Sequence, residues 1–311
     1  MTASLDRHSL LVIIGPTAVG KTALSLHLAE VLGGEIVSAD SRLLYREMDI
    51  GTAKPTPEER ARVPHHLLDI AAPDETVGLA EFQEQATAAI AAIHARGRLP
   101  LLVGGTGQYV RAVVEGWRVP RVPPDPDLRA ELEAQAEREG AAALHARLAR
   151  LDLAAAQRID YRNVRRVIRA LEVCLVTGRP ISEQQRKQPP PYRILQIGLT
   201  MERATLYARA DRRVEAMMVA RLEDEVRRLV EAGYDWALPA MSGLGYVQFK
   251  PYFDGQATLE QVVAEIKWAT HRFIRRQYNW FRLNDPVIRW FDVTEAPEGE
   301  IEATVREWLE R

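Results

Sequence analysis

Gly15-Pro16-Thr17-Ala18-Val19-Gly20-Lys21-Thr22 is the stretch that decides the fold. It fits the pattern G-x-x-x-x-G-K-[ST], in which glycines let backbone amides curl around phosphate oxygens. Its flanks supply the context the pattern needs. Leu10–Gly15 is a short apolar run with β-branched residues, closed by glycine, which reads as a buried strand. Thr22–Leu32 places Leu24, Leu28, Val31 and Leu32 at helical spacing, and Gly33 stops the helix. The helix N-terminus behind the loop adds partial positive charge. Gly15, Pro16, Thr17, Ala18, Val19, Gly20, Lys21 and Thr22 therefore form the expected cradle for a phosphate chain. Lys21 brings a point charge to the terminal phosphates, and Thr22 offers its hydroxyl to Mg²⁺.

Outward from this loop, strands are expected at Glu35–Asp40, Leu99–Val103, Arg193–Thr200 and Val287–Val293, with a helical stretch near Ala80–Arg96. Strands alternating with helices predict an α/β fold, a P-loop NTPase-like parallel sheet flanked by helices. Right-handed crossovers put the loops after the strands at one edge, where ligands of such sheets bind. Val119–Asp127 carries four prolines in nine positions and reads as a linker. Leu128–Val176 beyond it is helical in propensity, and Gly178–Pro191 is polar and proline-rich. The core is thus expected over 1–120 and 191–311, with a mostly helical insertion domain over 121–190.

Composition excludes several classes. With 311 residues, 47% hydrophobic and 27% charged, the chain suits an ordinary globular protein, not a disordered or collagen-like one. The single cysteine, Cys174, forms no internal disulfide and no multi-cysteine zinc site; it reads as a small buried apolar residue. Met1–Ser9 is short and polar, and no apolar run approaches the roughly 18 residues of a membrane helix. A cytoplasmic monomer is expected, with no membrane partner. Net charge is −2, so only its distribution bears on partners. Ile266–Arg282 holds five basic residues and no acid, and Arg158–Arg169 holds five arginines against Asp160. Such local basic surfaces suit a polyanion.

The apolar strand Leu101-Leu102-Val103 runs into Gly104-Gly105-Thr106 rather than into the aspartate a hydrolytic motor uses to hold Mg²⁺. The carboxylate on the P-loop edge is Asp40. Its position suits a general base for an incoming acceptor, and equally a cap on a helix beginning near Ser41. Thr106, after its glycine turn, suits contact with substrate or a purely structural role.

Taken in order, further blocks accompany these features: Ser38-Ala39-Asp40-Ser41, Met48-Asp49-Ile50-Gly51-Thr52-Ala53-Lys54-Pro55 and Pro64-His65-His66-Leu67-Leu68-Asp69-Ile70. Leu102–Thr106, Arg169-Ala170-Leu171-Glu172-Val173, Gly245-Tyr246 and Arg276-Gln277 with Trp280-Phe281-Arg282 follow. With the P-loop they run from residue 15 to 282, and the set resembles the tRNA dimethylallyltransferases (tRNA isopentenyltransferases). The resemblance implies transfer of a dimethylallyl group from dimethylallyl diphosphate to N6 of the adenosine immediately 3′ of the anticodon, with Mg²⁺ assisting. The P-loop would then hold the diphosphate leaving group. Asp40 would be the base, Thr106 a contact at the reaction centre, and Lys21 and Arg213 would neutralise diphosphate. The anticodon stem-loop of tRNA would meet Asp40, Ser41, Arg42 and Leu43, with Gly245 and Tyr246. Arg165, Arg166 and Arg169 form one basic contact surface; Arg272, Arg275, Arg276, Gln277, Trp280 and Arg282 form the other. On a helix, Arg272, Arg275, Arg276 and Asn279 share adjacent turns, while Phe273, Ile274, Gln277 and Phe281 lie toward another face. The aromatics Trp268, Tyr278 and Trp280 are expected in the core rather than stacked on bases. His65-His66 lack a metal-ligand pattern and read as structural or close to RNA. This chain has Arg162-Asn163 where many relatives have Asn-Asp, and Ser242 where some have arginine.

Two other functions remain open at this stage. A small-molecule P-loop kinase would use the insertion as a lid and Asp40 as acceptor base. A nucleotide-regulated RNA-binding module would leave Asp40 and Thr106 without a task.

Overall fold

The structure is a computed structural model that describes residues 8–296 and 298–311; the polar N-terminal stretch 1–7 and Pro297 lie outside them. The strands are β1 (Ser9–Ile14), β2 (Gly34–Ser38), β3 (His65–His66), β4 (Leu99–Gly104), β5 (Trp117–Arg118), β6 (Arg186–Lys187), β7 (Arg193–Thr200) and β8 (Ile288–Asp292). Six of them form one sheet in the order β3-β2-β4-β1-β7-β8, and every neighbouring pair is parallel. β1 sits at its centre, Leu11 opposite Leu101 of β4 and Leu10 opposite Ile194 of β7.

Burial on both faces explains why β1 is continuously apolar. Leu11 and Ile13 pack with Leu24 and Leu28 of α1 (Lys21–Leu32) and Leu206 of the helix Arg203–Val219. Leu10, Val12 and Ile14 face Phe82, Ile90 and Ile93 of the helix Leu79–Ala95. Each such buried side chain is worth about 1.5–3 kcal/mol. A third cluster joins Met48 to Leu222, Val226 and Leu229 of the helix Leu222–Glu231 and to Tyr246. Val262 and Ile266 of the long helix Leu259–Trp280 complete that cluster. Among the described residues no helix is long and apolar enough to cross a membrane.

The chain divides into two compact units, 115–190 and the remainder; the sequence had suggested 121–190. The smaller unit contains five helices around Leu132, Leu144, Leu148, Val167 and Leu171, and the antiparallel pair β5–β6. Val119–Asp127, read as a linker, is held in place there. Val122 is buried, and Asp125 caps the helix Pro126–Glu139 by accepting the Leu128 amide at 3.0 Å. Glu172 is fully buried and accepts Arg129 and the Asp125 amide at 2.8 and 2.9 Å. Cys174 is buried, as its isolation in the sequence suggested.

Candidate active site

The phosphate loop leaves β1 at Gly15, whose φ is 151° and where a Cβ would lie 2.6 Å from the Leu199 carbonyl oxygen. Only glycine fits that approach. The loop ends at Gly20, which caps α1 without any side-chain hydrogen bond. The first amides of α1 therefore keep their capacity for an anion. Lys21 Nζ donates to the Gly15 and Pro16 carbonyls at 2.9 and 2.8 Å, staying at the mouth of the loop. Burial pushes its ammonium down to about 8, with Asp40 pulling upward and Arg213 adding to the depression. Thr22 presents an exposed side chain in the first turn of α1.

Arg213 enters from the helix Arg203–Val219. It donates to the Thr17 hydroxyl at 3.3 Å and to the Thr52 carbonyl at 3.4 Å. Burial lowers its pKa, opposed by the Asp40 charge. Asp40 lies two residues past the end of β2, not on the strand. The expected helix after it is a turn over 41–44, and Asp40 Oδ1 accepts the Arg42 amide at 2.9 Å. Across from it, Thr106 Oγ1 accepts the Ser41 amide at 3.1 Å. A Cβ on Gly104 would fall 2.2 Å from the Ala39 carbonyl oxygen, so the ends of β2 and β4 approach as only glycine permits.

These groups share a cavity of about 460 Å³. Thr17, Asp40, Thr106 and Arg213 line it, with Ser41, Arg42, Gly245, Arg276, Gln277 and Trp280. Of the expected RNA contacts on the long helix, Arg272, Arg275 and Arg276 are exposed, as is Arg282 just beyond it. Arg272 lies 4.4 Å over the ring of Trp268, which is 52% exposed rather than in the core. Trp280 is half-buried against Gly107. Arg165 and Arg166 are exposed on the helix Val164–Thr177 of the smaller unit. Leu43 is partly covered, and its carbonyl accepts the Asp69 amide at 3.2 Å.

Three of the expected RNA contacts are engaged within the protein itself by burial or pairing. Tyr246 is fully buried, and its hydroxyl donates to Glu225 at 2.7 Å, so it cannot meet a polyanion. Gln277 is 4% exposed and bridges Thr17 to Gly105 inside the core unit. Arg169 is committed to the buried Glu172 and the Val122 carbonyl. His66 pairs with Glu35 at 2.7 Å and His65 with the Val63 carbonyl at 2.8 Å, which makes both edge-strand structural groups.

Sequence reasoning passed over Glu225. Its carboxylate is 2% exposed and accepts the amides of Asp49, Ile50 and Gly51 at 2.8–3.0 Å. The signal was present, because an acid at 225 falls on the apolar stripe Leu222, Val226, Leu229. Lys54, also buried, ties Tyr45, Asp49 and Asp69 together at 2.5–2.7 Å. Thus the Asp-Ile-Gly-Thr-Ala-Lys-Pro block is a wall, gripped from both ends, that presents Gly51 and Thr52 to the cavity.

A phosphate loop sharing one cavity with a carboxylate and a half-buried arginine defines a P-loop transferase rather than a hydrolytic motor. The profile of the IPP transferase family matches residues 43–284, a range that begins after the phosphate loop. The chain belongs to the IPP transferase family. It is 66% identical over 273 residues to the tRNA dimethylallyltransferase of Roseiflexus castenholzii, covering 88% of this chain and 89% of that one. The Chloroflexus aurantiacus tRNA dimethylallyltransferase is 62% identical over 273 residues, covering 88% and 92%. Among solved structures, the full-length tRNA isopentenylpyrophosphate transferase of Bacillus halodurans superposes with a TM-score of 0.73 at 44% identity, covering 97% of both chains. A eukaryotic dimethylallyltransferase acting on tRNA gives 0.81 at 26% identity, covering 96% of this chain and 77% of that one.

Proposed function

We propose that this chain transfers a dimethylallyl group from dimethylallyl diphosphate to N6 of the adenosine immediately 3′ of the anticodon in tRNA, releasing diphosphate. The observation that carries this conclusion is the single cavity holding Asp40 beside Thr17 of the phosphate loop and Arg213. The N6 lone pair attacks C1 of the dimethylallyl group, the C1–O bond breaks, and its electron pair leaves on the diphosphate. The N6 proton passes to the Asp40 carboxylate, acting as general base. Charge gathering on the leaving group is met by Lys21, Arg213 and the open amides of α1. Because Arg213 is partly withdrawn from water, its charge is less screened than at an open surface.

Mg²⁺ fits this donor set as a companion of the diphosphate. Among the described residues no group of three or more His, Cys, Asp or Glu is placed to hold a metal. Thr22 offers one hydroxyl, and Mg²⁺ is commonly held by one or two protein ligands with phosphate oxygens and water. When bound, the ion offsets charge on the departing diphosphate.

The target adenine must leave its stack to reach Asp40. The outer face of the helix Leu259–Trp280, with Arg272, Arg275 and Arg276, suits the phosphates of the stem-loop. A monomer acting in the cytoplasm completes the proposal. The test mixes the protein with Mg²⁺, dimethylallyl diphosphate and an anticodon stem-loop, then weighs the RNA. A prenyl-sized gain on the adenosine is expected. No gain, with ATP-dependent phosphorylation of a metabolite instead, would replace the transferase by a kinase.

A further inference from the structure

We propose that Gln277 is a positioning residue of the transfer, a bracket that sets the separation between the leaving-group cradle and the acceptor-side carboxylate. This rests on the function proposed above. Gln277 lies on the helix Leu259–Trp280, and its side chain turns inward. Its Oε1 accepts the Thr17 amide at 2.9 Å, and its Nε2 donates to the Gly105 carbonyl at 3.2 Å.

Each end reaches one half of the reaction. Thr17 belongs to the cradle, and its hydroxyl accepts Arg213. Gly105 precedes Thr106, whose Oγ1 accepts the Ser41 amide next to Asp40. One side chain thus joins the phosphate loop to the turn that places the base. An amide suits this post because it supplies an acceptor and a donor on one rigid plane; an ionised glutamate lacks the donor and lysine the acceptor.

The neighbours are shaped to match. A Cβ on Gly105 would fall 2.2 Å from Gln277 Nε2, and one on Gly107 would fall 2.3 Å from the Trp280 ring. The Gly104–Gly107 turn is therefore glycine-rich partly because this helix closes on it. Arg275 and Arg276 are exposed while Gln277 is buried, so its amide is placed to hold the site rather than to pair with stem-loop phosphates. Reacting atoms must lie about 3–3.5 Å apart, and a misplacement near 1 Å costs on the order of 100-fold in rate. Losing the bracket should therefore slow the chemical step more than it weakens either substrate.

The test uses the full chain. Gln277→Met, neutral and of similar length, is expected to lower kcat about 10- to 100-fold. Its Kd for the anticodon stem-loop and for inorganic pyrophosphate should stay within about threefold of wild type, since neither charge set changes. Gly105→Ala, which drives the amide away, should lower kcat similarly in the native background and add little once Gln277→Ala has emptied the space. That non-additivity distinguishes a bracket from general loss of packing. Weakened RNA binding with kcat preserved, or an unchanged kcat in the folded variant, overturns the proposal. Wild type that transfers nothing sinks the proposed function and the bracket with it. Wild type that transfers, with variants equally fast, sinks the bracket alone.

Discussion

Replacing Glu225 by glutamine tests whether the Asp49–Thr52 wall is held by one buried carboxylate. Oε2 accepts the Asp49 and Ile50 amides, and Oε1 accepts the Gly51 amide and the Tyr246 hydroxyl. Glutamine turns one of these oxygens into a donor, so at least one amide loses its acceptor and faces an N–H. If the nitrogen takes the Oε1 place, the Tyr246 oxygen can accept instead, and a single amide is orphaned. If it takes the Oε2 place, two are orphaned. Glutamine takes the orientation that orphans one amide, so at about 1–3 kcal/mol for an unsatisfied buried donor the cost is about 1–3 kcal/mol. For a domain of this size that corresponds to a fall in Tm of roughly 2–12 °C. Tyr246→Phe, which removes one donor and leaves the carboxylate, should cost only about 1 kcal/mol. Gly51 and Thr52 line the cavity, and the Thr52 carbonyl receives Arg213, so turnover should fall with the melting point. Thermal melts with parallel prenyl-transfer assays decide the matter. A Glu225→Gln chain that melts and turns over like wild type would refute the reasoning.

Other outcomes follow from the same geometry. Asp40→Ala should remove most turnover while stem-loop affinity is retained; a severe loss of RNA binding alone would contradict its role as base. Arg275→Ala with Arg276→Ala should weaken stem-loop binding and flatten the dependence of log Kd on log[salt], and an unchanged slope would take this helix out of the interface. Lys21, lowered to about 8 by burial, is charged below that pH and neutral above it. Calorimetry between pH 7 and 9 should therefore show pyrophosphate affinity falling by up to about tenfold, a fall that Lys21→Met abolishes. Burial pushes Glu172 up, but hydrogen bonds from Arg129, the Asp125 amide and Arg169 outweigh it and hold its carboxyl down to about 2. Its stabilising effect is present above the ordinary carboxylate range and is lost as pH falls from about 4 through 2. Melts of wild type in that window should lose stability that Glu172→Gln lacks from the outset.

Much of the fold was legible because it is local. The strand–glycine–helix order around Lys21 and the apolar runs at Leu99–Val103 and Arg193–Thr200 each announce themselves within a dozen residues. Helical periodicity also separated the exposed Arg272, Arg275, Arg276 and Asn279 from the buried Ile274, Gln277 and Phe281, while Phe273, placed on the same inner face, is half-buried. Spacing shows which residues share a face, because the helix repeat is fixed; it does not show what that face meets.

A phosphate-binding loop on a parallel sheet, a second helical unit and an ordered set of family motifs can all be read from the residues in their order. Tertiary structure alone decided that Tyr246 is a buried partner of Glu225 and that Gln277 spans from Thr17 to Gly105. It supplied the contact by which Arg213, implicated by the family resemblance, reaches the loop 196 residues earlier in the chain. The reason is physical: periodicity is written by neighbours along the chain, whereas a buried polar group is placed by whatever distant donor or acceptor satisfies it.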